Sequence, residues 1–418
     1  MRLLKLFVVP FIAAMTAFAP AQVIEKNPEL KQAVLARITD ALTQNAFVPG
    51  IDFAKWPDFL EAERSRLEAA SDDETFTRAV NSALRKFGAS HIVLNTPKAT
   101  SVRREAKNTG IGIGVAPDNG TMMITYVYAG SPAAKVGLNP GDRILEVDGK
   151  AISAGVQSIA GEEGSTVEIK VQKATGKIED LSIVRKKYST VKPEEFNLVD
   201  ADTAMLTVHT FDLTYNADRV ETLVRKGIGK RNFILDLRGN GGGAVYNLQH
   251  LLSCFLPKDA EIGTFISRRV VEDYKEKTGK PGTDLADIAT FSKRKVKVTP
   301  KSDVPRFVGN LVVLVNGASG SASEMAAAAL REVGGATIIG RKSAGAVLVS
   351  VIAPLTSGFT LQYPLSDYVT IKGLRLEGKG VTPDIEVNQP PFLIPNTPDT
   401  AIAKAQEVFQ RIAQIDKL

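Results

Sequence analysis

The sequence predicts a protein of more than one domain: a helical N-terminal region, an inserted β-rich module, and an α/β core built on a mostly parallel sheet. Three observations predict this fold class. Apolar residues recur at helical spacing over 27–87, short alternating segments fill 109–187, and strand-like runs alternate with helix-like runs beyond Val191. A length of 418 residues is enough for two or three domains with their own cores.

The chain begins with the pattern of an export signal. Arg2 and Lys5 form a short cationic region, which is followed by an apolar run. Residues 19–21 (APA) have the small-residue spacing of a cleavage site. A membrane anchor is the alternative, but Pro10 interrupts a run that is already short for a bilayer. We therefore expect residues 1–21 to be a signal peptide and the mature protein to be periplasmic or secreted, in the cell envelope.

Charge and cysteine content exclude several classes of protein. The net charge is +6, from 52 Lys and Arg against 46 Asp and Glu. These charges are scattered and form no basic stripe with interleaved aromatic residues, which argues against nucleic-acid binding. Cys254 is the only cysteine, so an intrachain disulfide is excluded.

The N-terminal region, residues 22–95, is predicted to be helical. The segments LKQAVLARITDAL, FLEAERSRLEAA and FTRAVNSALRKF each repeat apolar residues at helical spacing. The polar and basic stretch 95–108 that follows is predicted to be a linker.

Residues 109–187 have the pattern of a compact β-rich module, with segments such as GIGIGV and TVEIKVQK between turn residues. The stretch AGSPAAKVGLNPGDRILEVDGKAI strongly resembles a PDZ domain. This resemblance implies that Gly110, Ile111, Gly112 and Ile113 form the loop whose N–H groups bind a peptide's C-terminal carboxylate, with the peptide adding as a strand. The segment ISAGVQSIAGEEG, which would flank the groove, is short and interrupted by glycine. A structural β-domain without a ligand is the alternative.

Residues 191–395 are predicted to form the α/β core, and 396–418 a C-terminal helix. Strand-like runs such as RNFILDLRG and NLVVLVNG alternate with helical patterns, as in a largely parallel sheet. Active residues of such sheets lie in loops at the carboxyl ends of strands. DLRGNGGGAVYN and NGASGSASE are loops of this kind. The polar stretch 268–305 is interpreted as a mobile insertion near the site, without an assigned function.

Ser321 is a candidate catalytic residue because it lies where a strand ends and a helix begins. A helix N-terminus stabilises developing negative charge through its unpaired N–H groups and its dipole. The glycines of 239–243 would let a second backbone segment approach a substrate carbonyl closely. The alternative interpretation of Ser321 is a plain N-cap, with Glu324 completing a capping box.

Several motifs occur together in one order: the PDZ-like module, ILDLRGNGGG, VLVNGASGSASEMAAAAL, ATIIGRKSAG and LEGKGVTPDIEV. In this combination the chain resembles the C-terminal processing (tail-specific) serine proteases, over roughly residues 70–415. The resemblance implies that Ser321 is the nucleophile. It also implies that the oxyanion donors are the backbone N–H of Gly241 or Gly242 and that of Ala322.

The catalytic base is where this sequence departs from that family. Typical bacterial members use a lysine about one strand beyond the serine, and the matching position in KSAGAVLV is Ala346. Three interpretations are open. Ala346 inactivates the chain, Lys342 reaches in from the same loop, or the base lies elsewhere.

A histidine is the candidate base elsewhere, and the chain has three. His209 and His250 lie in strand-like and helical patterns and are predicted to be core or surface residues. His91 lies in LRKFGASHIVL, which resembles the G-x-S-H segment of the tricorn branch of the same superfamily. That resemblance implies His91 as the general base, with Ser90 orienting it and Glu377 of RLEGKGVTPD completing the relay.

The sequence thus predicts an exported serine endopeptidase that cleaves unstructured proteins or C-terminal tails through an acyl-enzyme. No metal or organic cofactor is expected. Expected partners are protein or peptide substrates, with C-terminal tails bound by the PDZ module, and a homo-oligomer is left open. The alternatives are a catalytically inactive peptide-binding scaffold and a serine-lysine protease inactivated at Ala346.

Overall fold

The computed structural model describes residues 24, 27–152, 159–299, 305–388 and 397–415. The predicted signal peptide, residues 1–21, lies outside these ranges. Within the ranges, no helix is both long enough and apolar enough to cross a membrane.

The N-terminal region is helical, as predicted. Its helices are α1 (Pro28–Asp40), α2 (Trp56–Glu61), α3 (Arg64–Ala69) and α4 (Asp73–Arg85). Helix α4 begins with a capping box, in which the Asp72 side chain accepts the N–H of Thr75 at 2.7 Å. The apolar residues Phe76, Val80 and Leu84 of α4 are fully buried. This helix therefore fixes the position of the segment that follows it, which contains His91.

The stretch 95–108 is not the linker that its composition predicts. It holds the end of strand β1 (Val93–Asn95) and all of helix α5 (Pro97–Glu105). Thr96 starts this helix, because its side chain accepts the N–H of Ala99 at 3.1 Å and a proline occupies the first helical position. The prediction was wrong because a polar, basic composition concealed a normal helix-start signal.

The predicted β-rich module is present. It comprises β2 (Lys107–Gly110), β3 (Ile113–Asp118), β4 (Thr121–Val127), α6 (Pro132–Lys135), β5 (Arg143–Val147), β6 (Lys150–Ala151), β7 (Thr166–Gln172), β8 (Ile178–Val184) and β9 (Lys186–Ser189). Its antiparallel sheet has the order β3-β4-β5-β7-β8, with β6 beside β5, so that β3 is an edge strand. Strands β2 and β9 form a separate ribbon. The segment predicted to flank the peptide groove falls largely on 153–158, outside the described residues.

The remaining elements form the predicted α/β core. They are β10 (Glu195–Leu198), β11 (Thr203–Thr207), α7 (Ala217–Gly227), β12 (Asn232–Asp236), α8 (Val245–Ser253), β13 (Glu261–Ser267), α9 (Arg268–Thr278), α10 (Leu285–Phe291), β14 (Val296–Lys297), β15 (Asn310–Val315), α11 (Ala322–Glu332), β16 (Thr337–Gly340), β17 (Val349–Pro354), β18 (Thr360–Thr370), β19 (Ile385–Glu386) and α12 (Thr400–Ile415).

The main sheet has the order β10-β11-β12-β15-β16-β19, and every pair except β10 with β11 is parallel. Alternate residues of its strands face opposite layers. Leu235 and Val313 pack into the cluster that contains α7, α8 and α11, whereas Ile234 and Val312 pack against Phe409 of α12. Because β12 and β15 are parallel neighbours, the loops that follow them lie side by side. These are the glycine loop and the serine loop.

A second, antiparallel sheet joins the N-terminal region to strands from the second half of the chain. Its order is β1-β18-β13-β14, with β17 also paired to β18. Leu94 of β1 lies opposite Leu361 of β18, and both share a hydrophobic cluster with Phe76 and Trp56 of the N-terminal helices. The N-terminal region therefore has no separate core. It is anchored on strands that the chain supplies more than 250 residues later.

The stretch 268–305 contains helices α9 and α10. Val271 and Tyr274 of α9 and Ile288 of α10 are buried against Ile266 and Val369 of the second sheet. The expectation of a mobile insertion near the catalytic loops is therefore wrong for its described residues. An apolar stripe lies among its many charged residues and packs these helices on the sheet.

Candidate active site

Ser321 lies at the start of α11, directly after the loop that follows β15. Its backbone has φ 55° and ψ −119°, a strained conformation for a residue that carries a side chain. Its N–H donates to the carbonyl of Ala346 at 2.8 Å and to Oε2 of Glu324 at 2.9 Å. These contacts hold the sharp turn that carries the Ser321 hydroxyl.

His91 lies between α4 and β1, in the left-handed region at φ 58°. Its Nε2 is 3.1 Å from Oγ of Ser321, although 230 positions separate the two residues. Its Nδ1 is 2.7 Å from Oγ of Ser90. The fold thus places the predicted base within hydrogen-bond distance of the predicted nucleophile.

Glu377 is at the far end of the same hydrogen-bonded chain, and its side chain is buried. Its Oε2 accepts the Ser90 hydroxyl at 2.9 Å and the Val347 N–H at 2.8 Å, while its Oε1 accepts the Ser90 N–H at 2.9 Å. A hydroxyl has a single proton, which Ser90 donates to the carboxylate, so Ser90 Oγ accepts the proton of His91 Nδ1. The lone pair of His91 is therefore on Nε2, which faces Ser321.

Burial lowers the pKa of His91 below its ordinary value, and the charge of Glu377 partly opposes this effect. An imidazole with a lowered pKa is neutral at pH 7. His91 is therefore in the form that can accept a proton from a hydroxyl, without the large pKa depression that a lysine base would require.

The candidate oxyanion donors differ in their availability. The N–H groups of Gly241 and Ala322 make no hydrogen bond within the part of the chain that the structure describes, and both residues line the same cavity as Ser321. The N–H of Gly242 instead donates to Oδ1 of Asn240 at 2.9 Å. Of the two glycines named as donors, Gly242 is therefore not free to serve.

Position 242 has no room for a side chain. Its φ is 97°, and a Cβ at this position would lie 2.6 Å from Cβ of Ser321 and 2.7 Å from the Gly320 carbonyl oxygen. Atoms cannot approach that closely, so a side chain here would displace the serine turn. The glycine loop must be bare at this point to pack against the serine loop.

The positions of Lys342 and Ala346 show what each residue can contribute to the site. Lys342 is exposed and does not line the cavity that contains Ser321. Ala346 contributes backbone groups only, since its carbonyl holds the Ser321 N–H and its own N–H donates to Glu324 at 2.9 Å. Neither residue offers a basic side chain to the serine.

The other histidines also lie away from Ser321. His250 is buried, with Nδ1 2.7 Å from the Tyr215 hydroxyl and Nε2 2.9 Å from Glu221. His209 lies 3.2 Å from Glu195. The prediction that both have core or surface roles is confirmed.

Glu324 does more than the sequence pattern indicated. Its carboxylate is fully buried and accepts hydrogen bonds from the backbone N–H of Ser321, Gly345 and Ala346 and from the Ser343 hydroxyl. A capping-box signature predicts only the first of these contacts. The side chain ties the turn of the nucleophile to the loop 343–346, and only the three-dimensional arrangement reveals that second connection.

A cavity of about 520 Å³, the Ser321 cavity, opens beside these residues. Met325, Val347, Leu348 and Ile352 give it an apolar wall. On another side lie Arg103 and Asp212, which form a bidentate ion pair at 2.7 and 2.6 Å. The apolar wall and the bare backbone of the glycine loop suit an extended polypeptide with an apolar side chain.

The loop 110–113 connects β2 with β3. Within the described residues, the N–H groups of Ile111 and Gly112 make no hydrogen bond, and β3 pairs on one side only. Gly112 has φ 82°, and a Cβ there would lie 2.3 Å from Cβ of Ser131, which explains the glycine. Gly110 and Ile113 end and begin the flanking strands. The loop and the open edge have the geometry that peptide addition needs.

Two family models match this chain. Residues 202–387 match peptidase family S41, and residues 123–173 match the PDZ domain. Residues 202–387 are therefore similar to the peptidase domain of that family. The chain is a serine-type peptidase with a PDZ domain, and the matched peptidase segment contains Ser321, Glu377 and the glycine loop. It is therefore a protein that binds and cleaves protein or peptide substrates.

Curated relatives match most of the length of this chain. The carboxy-terminal-processing protease of Bartonella bacilliformis is 28% identical over 352 residues, which are 81% of this chain and 75% of that protein. The carboxy-terminal processing protease CtpA of Bacillus subtilis is 27% identical over 413 residues, which are 94% of this chain and 78% of that protein.

Solved structures share the fold of this chain. The photosystem II D1 C-terminal processing protease has a TM-score of 0.50 at 20% identity, covering 86% of this chain and 93% of its own. Mature CPAF complexed with lactacystin has a TM-score of 0.52 at 13% identity, covering 86% and 94%. These likenesses show that the chain shares its overall fold with those proteins.

Proposed function

We propose that this S41 peptidase cleaves unstructured proteins or C-terminal tails through an acyl-enzyme on Ser321, with His91 as the general base. The observation that carries the proposal is the unbroken hydrogen-bonded chain from Glu377 through Ser90 and His91 to Ser321. The absence of a lysine at position 346 does not inactivate the site, because the base comes from another segment.

The chemistry follows from the proton positions. His91 Nε2 takes the proton of Ser321 Oγ as the oxygen attacks the scissile carbonyl carbon. The negative charge that develops on the carbonyl oxygen is stabilised by the N–H groups of Ala322 and Gly241, together with the N-terminal end of α11. His91 then gives the proton to the leaving amine, and a water molecule activated by His91 hydrolyses the acyl-enzyme.

Ser90 and Glu377 are proposed as positioning residues. Ser90 accepts the Nδ1 proton of His91 and so fixes the tautomer with a basic Nε2. Glu377 holds Ser90 through both its hydroxyl and its N–H, and it stabilises the imidazolium that forms during the attack. The buried carboxylate of Glu377 therefore acts on Ser321 through two residues, Ser90 and His91, rather than through one.

The substrate class is inferred from the domain combination. Relatives of this chain bear names that specify carboxy-terminal processing. The loop of Gly110, Ile111, Gly112 and Ile113 and the free edge of β3 support binding of a C-terminal tail as an added strand. A tail bound in this way must be unstructured, because strand addition requires an extended backbone with free N–H and C=O groups.

The location and assembly are further proposals. The composition of residues 1–21 supports export by a cleaved signal peptide, which would place the mature enzyme in the periplasm or outside the cell. A homo-oligomer is compatible with this proposal.

The test is hydrolysis of casein by the chain without residues 1–21, beside Ser321→Ala, His91→Ala and Lys342→Ala variants. We expect activity to vanish in the first two and to persist in the third, because Lys342 does not line the Ser321 cavity. Loss of activity in Lys342→Ala alone would refute His91 as the base. An inactive parent chain that still binds tail peptides would favour the peptide-binding scaffold.

A further inference from the structure

A second buried serine lies close to Ser321 and takes no part in the proton relay. Ser323 is in the first turn of α11, its side chain is fully buried, and it does not line the Ser321 cavity. Its hydroxyl donates to the backbone carbonyl of Asn240 at 2.8 Å, although 83 positions separate the two residues. This hydrogen bond joins the helix of the nucleophile to the glycine loop.

The carbonyl that Ser323 binds belongs to the same peptide group as the N–H of Gly241. This carbonyl also accepts the Gly320 N–H at 3.0 Å, so both of its donors come from the nucleophile's side of the site. In a trans peptide the C=O and the N–H point in opposite directions. The two donors therefore direct the Gly241 N–H away from themselves, and Gly241 lines the Ser321 cavity.

The polar groups on either side of this peptide are bound within the protein. The fully buried side chain of Asn240 donates to the Val208 carbonyl at 2.8 Å and accepts the Gly242 N–H at 2.9 Å. The Gly242 carbonyl accepts the Phe211 N–H at 2.9 Å. The flanks of the 240–241 peptide are thus fixed, and its own N–H is left for a ligand.

The 240–241 peptide still needs a contact of its own, because glycine at 241 gives its backbone freedom to rotate. A Cβ at this position would meet no atom within 4 Å, so packing does not restrict it either. Rotation would turn the Asn240 carbonyl oxygen toward the Ser321 cavity, where it would repel an oxyanion. It would also leave the buried Ser323 hydroxyl without its acceptor, which is unfavourable. The Ser323 hydrogen bond therefore opposes this rotation.

We propose that Ser323 is a positioning residue of the oxyanion site, whose hydroxyl holds the 240–241 peptide so that the Gly241 N–H faces the carbonyl oxygen of the substrate. The proposal rests on the proposed function, since it concerns how the same site stabilises the transition state of acyl transfer. The two serines at the start of α11 then have separate tasks. Ser321 attacks, and Ser323 orients a donor for the charge that the attack creates.

The test compares alanine variants at two buried serines that make the same kind of contact. Ser323→Ala should lower kcat on a fluorogenic peptide with KM nearly unchanged. We expect a loss of about 10- to 100-fold, less than for complete removal of an oxyanion donor, because the Gly320 N–H still holds the carbonyl.

Ser319→Ala is the matched control. Ser319 is also fully buried, and its hydroxyl donates at 2.8 Å to the carbonyl of Leu237, in the segment that leads into the glycine loop. The peptide of that carbonyl does not line the Ser321 cavity. Ser319→Ala should therefore leave kcat nearly unchanged.

A peptide aldehyde gives a readout that a merely structural role for Ser323 would not change. Ser321 Oγ adds to the aldehyde carbon, the π pair of the C=O bond moves to its oxygen, and the hydroxyl proton passes to His91. The adduct thus carries an oxyanion, which the alcohol of the same peptide cannot form. Ser323→Ala should weaken inhibition by the aldehyde about as much as it lowers kcat/KM, and it should leave inhibition by the alcohol unchanged.

Three results would overturn the proposal: parental kcat in Ser323→Ala, an equal loss of kcat in both serine variants, or a loss that appears in KM and in binding of the alcohol. If Ser323→Ala does not fold, as judged by circular dichroism, Ser323→Cys takes its place. Its thiol is a weaker donor, so it should show the same selective loss of aldehyde inhibition at a smaller size. A folded parent enzyme that neither cleaves peptides nor binds the aldehyde more tightly than the alcohol would instead contradict the proposed function.

Discussion

Two loops flank Ser321, and they differ in what they contribute. The loop 343–347 supplies backbone groups: the Ala346 carbonyl fixes the Ser321 N–H, and the Val347 N–H donates to Glu377. The segment of Ser90 and His91 supplies side chains that reach the serine hydroxyl. The comparison teaches that the turn of the nucleophile and the source of the base are independent parts. The loop 343–347 keeps its structural contacts without a lysine, while another segment brings an imidazole to the serine.

The largest expected effect comes from the segment that supplies side chains. His91→Ala should lower kcat/KM by about 10⁴-fold or more, and Ser321→Ala by a similar factor, because proton transfer and attack are one step. The double variant should be no worse than either single variant. Steady-state kinetics on a fluorogenic peptide would measure this, and additive losses would show that the two residues do not act as a unit.

Glu377→Gln should cost about 10²- to 10³-fold in kcat/KM. The amide cannot accept hydrogen bonds at both of its ends, so it cannot hold Ser90 and Val347 as the carboxylate does. Glu386→Gln, an exposed carboxylate on β19, is the matched control and should keep full activity. Equal activity of both variants would remove Glu377 from the relay.

Glu324→Gln should weaken the attachment of the loop 343–346 to the turn at Ser321. Its fully buried carboxylate holds Ser321, Ser343, Gly345 and Ala346, so an NH₂ group in its place would face donors. We expect the free energy of unfolding to fall by about 3 kcal/mol, measured by urea denaturation with circular dichroism. The exposed variant Glu272→Gln should change it by less than about 0.5 kcal/mol. A neutral Glu324→Gln would mean that the loop 343–346 is held by other contacts.

The smallest effect concerns pH. A general base works when it is deprotonated, and burial lowers the pKa of His91, so kcat/KM should rise with pH through a midpoint below the ordinary histidine value of about 6.5. Glu377 raises that pKa, so the residual activity of Glu377→Gln should have a still lower midpoint. A midpoint well above 7 would indicate a lysine base instead.

The sequence predicted the fold class because each of its signals is local. The structure contains the elements that these signals predicted. They are helix α4, the short strands of the PDZ domain, and the apolar strands before the loops at 239–243 and 316–321. The miss at 95–108 had a local cause too, since the Thr96-Pro97 start signal of α5 was outweighed by polar composition. Apolar residues of α9 and α10 were likewise concealed among their charged neighbours.

Sequence motifs predicted the residues of the candidate site but not all of their contacts. Resemblance named Ser90, His91, Ser321 and Glu377, and the structure brings their side chains into one hydrogen-bonded chain. The use of the Gly242 N–H by Asn240 could not be predicted, because it depends on the path of one loop. Contacts between distant segments, such as those of Glu324 with 343–346, have no signature in a single sequence.

The pairing of β1 with β18 has a consequence for biosynthesis. A ribosome makes His91 long before Ser321, and Glu377 is the last of the three. A growing chain therefore contains the proposed base before it contains the proposed nucleophile. It contains both of them before it contains Glu377. The segment that carries His91 leads into β1, whose Val93 pairs with Gln362 of β18. On the proposed mechanism, proteolytic competence therefore arises only after Glu377 has been synthesised and the second sheet has folded.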